Sequence, residues 1–220
     1  MPGDRHWAWG VIMFLFSRSA RLNSNNGIEW ATATGKHAAE VLGNEVQLWT
    51  TAFSPAAGTL SWTSWWADLS SLESGMGGLL ADAEYNALAA QGAKYIDGGV
   101  GDLLGRALTG GPSAGGSAMY VAGVRAVCAA GNAGRAMAAG VEIAQKYGEI
   151  TGSPSMFVRG LTGTYGGVGW LTGVENLGAF EAAENKLAAD PGWLTYLDGT
   201  AGCFVEDAAV TQSTLYVKLA

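Results

Sequence analysis

The side chains best suited to chemistry in this chain are aromatic. Nine of its 220 residues are tryptophan, and Trp49, Trp62, Trp65, Trp66 and Trp170 fall on or beside segments that read as strands. Core packing explains any one of them. Several indoles along sheet surfaces also make a stacking platform for a flat apolar ligand. Arg18, Arg125 and Arg159 sit in or at the ends of apolar strands. A buried guanidinium needs a partner, such as Glu29, Glu142 or a ligand carboxylate, whereas one at a strand end reaches water along its own stem. An Arg125 pointing into a cavity would favour an anionic or carbonyl-bearing ligand. His37 lies on a helical stretch, as a surface or packed side chain or as a candidate base.

Familiar catalytic signatures are missing. Two histidines and two cysteines, Cys128 and Cys203, offer no metal-ligand spacing and no disulfide framework, so no metal and no cofactor is expected. Gly98-Gly99-Val100-Gly101 lacks the strand–loop–helix setting and the lysine that a phosphate cradle requires. A formal charge of −7 disfavours nucleic acid and anionic membrane surfaces as partners, because both reward a basic face. The apolar run Trp7–Phe16 resembles a short leader core, but Arg18 stands where a cleavage site wants a small residue, and ten residues cannot span a bilayer. It reads as a strand, and the protein as cytoplasmic.

These side chains need a frame to hold them. Trp9–Phe16 reads as a first strand bounded by Ser17-Arg18-Ser19. Asn23–Asn26 open a helix over 27–42, closed by Gly43. Strands follow over 45–53 and 59–66, then helices started by Asp68 and Asp82, then a closing strand carrying Tyr95-Ile96 and Leu103-Leu104. After the Gly/Ser-rich stretch 109–117 the order starts again: a strand over 119–129, a helix over 133–151 and a strand pair over 155–161 and 167–171. Helices begun by Asn176 and Asp190-Pro191 and a strand over 211–219 complete it.

The repetition has a register. Trp62 and Trp170, Asp68 and Asn176, and Asp82 and Asp190 are each 108 residues apart, with the same local role in each pair. The expected organisation is a first β-α-β-β-α-β unit over 7–108, a linker over 109–117 and a second unit over 118–220. Strands that are apolar on both faces need helices on one side and another sheet on the other.

This pattern resembles the dimeric α/β-barrel superfamily in tandem form, with NIPSNAP-like and antibiotic-biosynthesis-monooxygenase-like proteins as the nearest relatives. The matching residues run from Gly167-Val-Gly-Trp170 through Asn176-Leu-Gly-Ala-Phe-Glu181 and Leu187-Ala-Ala-Asp-Pro191 to Gly202-Cys-Phe-Val-Glu206. The resemblance implies an α+β fold of two ferredoxin-like repeats, whose antiparallel sheets pack face to face as a barrel with helices outside. Closure within one chain and further pairing as a homodimer are both open. In the monooxygenase-like relatives an Asn near the first helix and a Trp on a strand serve metal-free and flavin-free oxidation of phenolic polyketides. By that analogy Asn25, Asn26 and Trp62 are the catalytic candidates, and Trp49, Trp170, Arg125, Arg159 and His37 the pocket candidates. The implied function is binding of an apolar or aromatic small molecule in a pocket between the sheets, as a cofactor-independent oxygenase, cyclase or isomerase. The alternatives are a non-catalytic NIPSNAP-like binding or assembly module and, last, haem binding through His37.

Overall fold

Eight strands alternate with six helices along the part of the chain that the computed structural model describes, residues 13–54, 56–110 and 118–220. The first half runs β1 (Phe14–Leu22), α1 (Gly27–Leu42), β2 (Gln47–Ala52), β3 (Thr59–Trp66), α2 (Leu69–Ala81), α3 (Ala83–Gln91) and β4 (Ile96–Ala107). The second runs β5 (Tyr120–Val127), α4 (Ala133–Thr151), β6 (Ser155–Gly160), β7 (Gly167–Val174), α5 (Leu177–Ala189), α6 (Pro191–Asp198) and β8 (Gln212–Lys218).

Local chemistry starts the helices where the repeat places them. The Asp68 carboxylate accepts the Ser71 N–H at 2.7 Å, and Asp82 accepts that of Tyr85 at 2.7 Å. Their counterparts Asn176 and Asp190 accept from Ala179 at 2.9 Å and from Trp193 at 2.9 Å. Each satisfies an N–H that the first helical turn leaves free.

The strands close into a barrel in the order β1-β3-β2-β8-β5-β7-β6-β4, every neighbouring pair antiparallel. Each half contributes four adjacent strands in the order last-first-third-second. The halves join along two seams, β2 with β8 and β4 with β6. Helices lie outside, and apolar clusters form between them and the sheet: Ala20, Trp30, Ala31, Leu48, Leu60 and Trp62 in the first half, Ala126, Ala144, Phe157, Val168 and Trp170 in the second.

The first strand differs from the sequence expectation, and the fourth, expected as one closing strand, carries an irregularity. β1 does not stop at Ser17-Arg18-Ser19 but runs through it, because each side chain there has a use: Ser19 bonds Ser61, and Arg18 pairs with Asp102. The expected strand residues 9–12 lie outside the described residues. β4 is one twelve-residue strand, and the pairing skips Gly98 and Gly99 opposite Ala20/Arg21. Gly98 takes φ +82 there, a conformation open to glycine at little cost. Among the described residues no helix is long and apolar enough to cross a membrane.

Candidate functional site on the helix-covered face of the first half

Register sorts every strand side chain to one of two faces, because directly opposed residues share a face and alternate along each strand. Arg18, Trp62 and Leu48 are mutually opposed, and Trp62 packs with Trp30 and Ala31 of α1, so this parity faces the helices. The other parity faces the barrel axis. It brings together Ser19 with Ser61 at 3.0 Å, the Trp49 indole N–H donating to Thr63 at 3.0 Å, Lys218 over the Trp49 ring at 6.0 Å and Arg125 donating to Gln212 at 2.6 Å. Side chains fill this interior closely. A Cβ on Gly123 would stand 2.9 Å from the Tyr216 ring, and one on Gly105 would stand 2.7 Å from Val158. The expected pocket between the sheets is occupied by packing at these levels.

One polar cluster on the helix side belongs to the first half. Arg18 donates through Nε and Nη2 to the two carboxylate oxygens of Asp102, at 2.8 and 2.7 Å, and through Nη1 to the Tyr85 hydroxyl at 3.1 Å. The bidentate carboxylate raises the guanidinium pKa further above its ordinary value, so Arg18 is a permanent cation. Of the five N–H donors an arginine carries, these bonds use three. Two remain for a ligand oxygen. Tyr85 is buried, and its apolar neighbours Val41 and Leu42 of α1 also line a groove of about 490 Å³ between α1 and α2, with Trp66, Ser70, Ser71, Ser74, Gly75 and Gly78. That volume lies within the usual range for small-molecule sites, roughly 300–1,000 Å³. Gly75 is what lets α2 approach, since a Cβ there would sit 2.9 Å from the Trp66 ring.

The second half does not repeat this cluster. Opposite Trp170, where Arg18 would stand, is Val124, which pairs with Ser213. Tyr85 corresponds to Trp193, each the residue whose N–H bonds the helix-starting aspartate. An Arg–Tyr–Asp set becomes Val–Trp–Ser. An open cleft of about 740 Å³ lies instead over the segment between α6 and β8, around Leu197, Phe204 and Asp207. Cys128 lies near this half's core, and burial pushes its thiol pKa up against a weaker opposing pull from Arg159, which disfavours a nucleophilic thiolate.

The residues singled out from sequence are dispersed. Trp62 and Trp170 are buried on the helix-facing side, away from the barrel axis. Their indole N–H groups donate to the Ala31 and Gly140 carbonyls, each at 2.9 Å, so both buttress a helix. Trp49 and Arg125 face the axis, whereas Arg159 lies on the outer face of β6. Asn25 and Asn26 are exposed in the turn before α1, and the Asn26 side chain makes no cap bond. Glu142, considered as an arginine partner, accepts from the Tyr196 hydroxyl at 2.8 Å.

His37 ties α1 to the start of α3. Its Nε2 lies 2.8 Å from Asp82 Oδ1, and its Nδ1 faces Glu40 and Glu84 at 3.9 and 4.0 Å. With both ring nitrogens turned to carboxylates, this histidine does not fit the role of a haem ligand. Among the described residues no group of three His, Cys, Asp or Glu side chains could hold a metal ion.

Sequence reasoning missed Tyr85 and Asp102. Tyr85 follows a cap by three residues, as Trp193 does, so its position alone does not mark it. Asp102 became visible as a partner once β4 was paired with β1.

With this geometry in place, comparison with solved structures is decisive for the architecture. A presumed monooxygenase of Fusobacterium nucleatum superposes over 96% of this chain and 94% of its own, with a TM-score of 0.70 at 8% identity. The chain has the dimeric α/β-barrel fold. A presumed monooxygenase of Lactobacillus acidophilus shares that barrel over 95% of this chain and 94% of its own, at TM-score 0.60 and 11% identity. An anthrone oxidase-like protein does so over 94% and 92%, at TM-score 0.62 and 10% identity. No protein-family model and no curated protein matches the chain. In this α/β barrel one polypeptide supplies both sheets.

Proposed function

We propose that the first half binds a flat aromatic small molecule bearing a phenolic or ketone oxygen, and turns it over as a cofactor-independent oxygenase, cyclase or isomerase. The groove at Trp66 would take the apolar body; Arg18 and Tyr85 do not line it, and would take an oxygen that the ligand extends past Val41 and Leu42, which pack on Tyr85. One observation carries this reading: the Arg18–Tyr85–Asp102 cluster occurs on one helix-covered face, while the equivalent place in the second half holds Val124, Trp193 and Ser213. A fold requirement would apply to both repeats; a ligand requirement applies to one.

Oxidation of a ketone such as anthrone by dioxygen to anthraquinone and water removes a C–H proton and leaves charge on the carbonyl oxygen. Preformed donors aimed at that oxygen lower the barrier. The two N–H groups of Arg18 left by its bonds to Asp102 and Tyr85 would serve as such donors, with Asp102 holding the guanidinium in place. The second reading, a non-catalytic NIPSNAP-like binding or assembly module, draws support from Trp62 and Trp170, whose indole N–H groups serve helix packing in both halves.

The test is aerobic incubation with anthrone without added metal or flavin, followed by anthraquinone absorbance, with binding measured separately under argon. Binding and turnover are expected in the native protein. Trp66→Phe should weaken binding, and Arg18→Gln should slow turnover at least tenfold. Binding without turnover would favour the module, and no binding would remove the aromatic ligand from consideration.

A further inference from the structure

Along the β4–β6 seam, outside the site above, two arginines face each other. Arg106 is directly opposite Arg159 in the ladder, and both lie on the outer face. Arg106 is opposite Phe14 and shares its parity with Trp66, while Arg159 is opposite Val168 of the second-half core. Side chains opposed across antiparallel strands have Cβ atoms about 4.5–5.5 Å apart, and like charges so placed repel. Among the described residues neither guanidinium has an ion-pair or hydrogen-bond partner, and Arg106 Nε is fully buried without one. Several described neighbours are apolar, and the Cys128 thiol lies within electrostatic reach of Arg159. Leu104 precedes Arg106 on the same face of β4; Phe157 precedes Arg159 on β6, and Leu161 lies just beyond the strand's end.

A buried donor without an acceptor is costly, and a like-charge pair adds to the cost. Among the described residues no carboxylate pairs with either arginine, although acidic residues outnumber basic ones in the sequence, 19 to 12. An oxyanion between the two guanidinium groups offsets the like-charge repulsion, because an arginine fork matches a planar carboxylate in two parallel bonds. Arg159 is exposed and Arg106 half-buried, so the seam has an open front and a closed back. We propose that the Arg106–Arg159 pair is a binding site for a small carboxylic acid with an apolar body, the carboxylate held between the guanidinium groups and the body laid on Phe14, Leu104 and Leu161. This site stands independently of the Arg18 cluster, and the second half contributes one of its two arginines.

Calorimetric titration with 2-naphthoate, its neutral isostere 2-naphthamide and inorganic phosphate tests the assignment at low salt. 2-Naphthoate is expected to bind at least tenfold more tightly than either of the others. Arg159→Gln and Arg106→Gln should each weaken it at least tenfold, and without ligand Arg159→Gln should keep or raise the Tm because the repulsion is gone. Equal binding of acid and amide would overturn the proposal, as would 2-naphthoate affinity unchanged in Arg159→Gln, or a marked fall in Tm in that variant. Phosphate binding as tight as 2-naphthoate would overturn the assignment to an apolar acid. Arg159 is exposed, so its variant remains informative even where Arg106→Gln fails to fold.

Discussion

Replacing Trp62 with Phe separates a helix buttress from a ligand contact. The substitution removes the indole N–H that donates to the Ala31 carbonyl at 2.9 Å and the ring edge that meets Trp30, at a centroid distance of 5.7 Å. A typical net hydrogen bond contributes about 1 kcal/mol. The smaller ring leaves a void under α1 and costs about 1–2 kcal/mol more in lost burial and cavity formation. The expected total of about 2–3 kcal/mol lowers Tm by roughly 4–12 °C in a chain of this size. Trp170→Phe should cost at least as much, because Trp170 also packs on Phe157 and Phe204 at 5.1 and 5.4 Å. Thermal melts followed by circular dichroism measure both, and ligand affinity is determined on the folded variants well below Tm. A Trp62→Phe protein that melts within about a degree of the native one but loses aromatic-ligand binding would refute the buttress.

Two further perturbations follow from the same contacts. Gly140→Ala should destabilise by about 1–3 kcal/mol through overpacking, because a Cβ there would run into the fully buried Phe157 ring; a urea midpoint equal to the native one would show that α4 is not held against β6 as described. The His37–Asp82 tie should give a pH-dependent stability. The hydrogen bond to Asp82 raises the His37 pKa above its ordinary 6.5, so that contribution is complete below 6.5 and is lost as pH rises through the raised value. The Tyr85 N–H and then His37 lower the Asp82 pKa below 3.8, and that contribution is lost as pH falls through the lowered value. The tie is therefore strongest between 3.8 and 6.5. Urea midpoints at mildly acid and mildly alkaline pH should fall less with rising pH in His37→Gln than in the native protein; an equal fall in both would locate the dependence elsewhere.

Wherever the physics is local, the elements could be read from the chain. Asp68, Asp82, Asn176 and Asp190 each satisfy an N–H two or three residues ahead, so the residue type and its neighbours suffice to place a helix start. The 108-residue register of Trp62 with Trp170 survives because each occupies the same strand position beneath an equivalent helix. Alternation over Thr59–Trp66 likewise marks a strand whose two faces differ. The faces themselves were harder to assign. Trp62 reads from sequence as core packing or as part of a pocket between the sheets, since period-two alternation separates the faces without saying which is which.

By itself, then, the sequence determined the order of elements, their starts and the doubling of the fold, because capping and periodicity act over a few residues. Tertiary structure alone decided the pairings across the chain. Arg18 meets Asp102 across 84 residues and Tyr85 across 67, and Arg106 meets Arg159 only because the barrel closes along the β4–β6 seam. Such neighbours are set by strand order and register, which depend on how both sheets and all their helices bury apolar surface together. No short window of sequence contains that information.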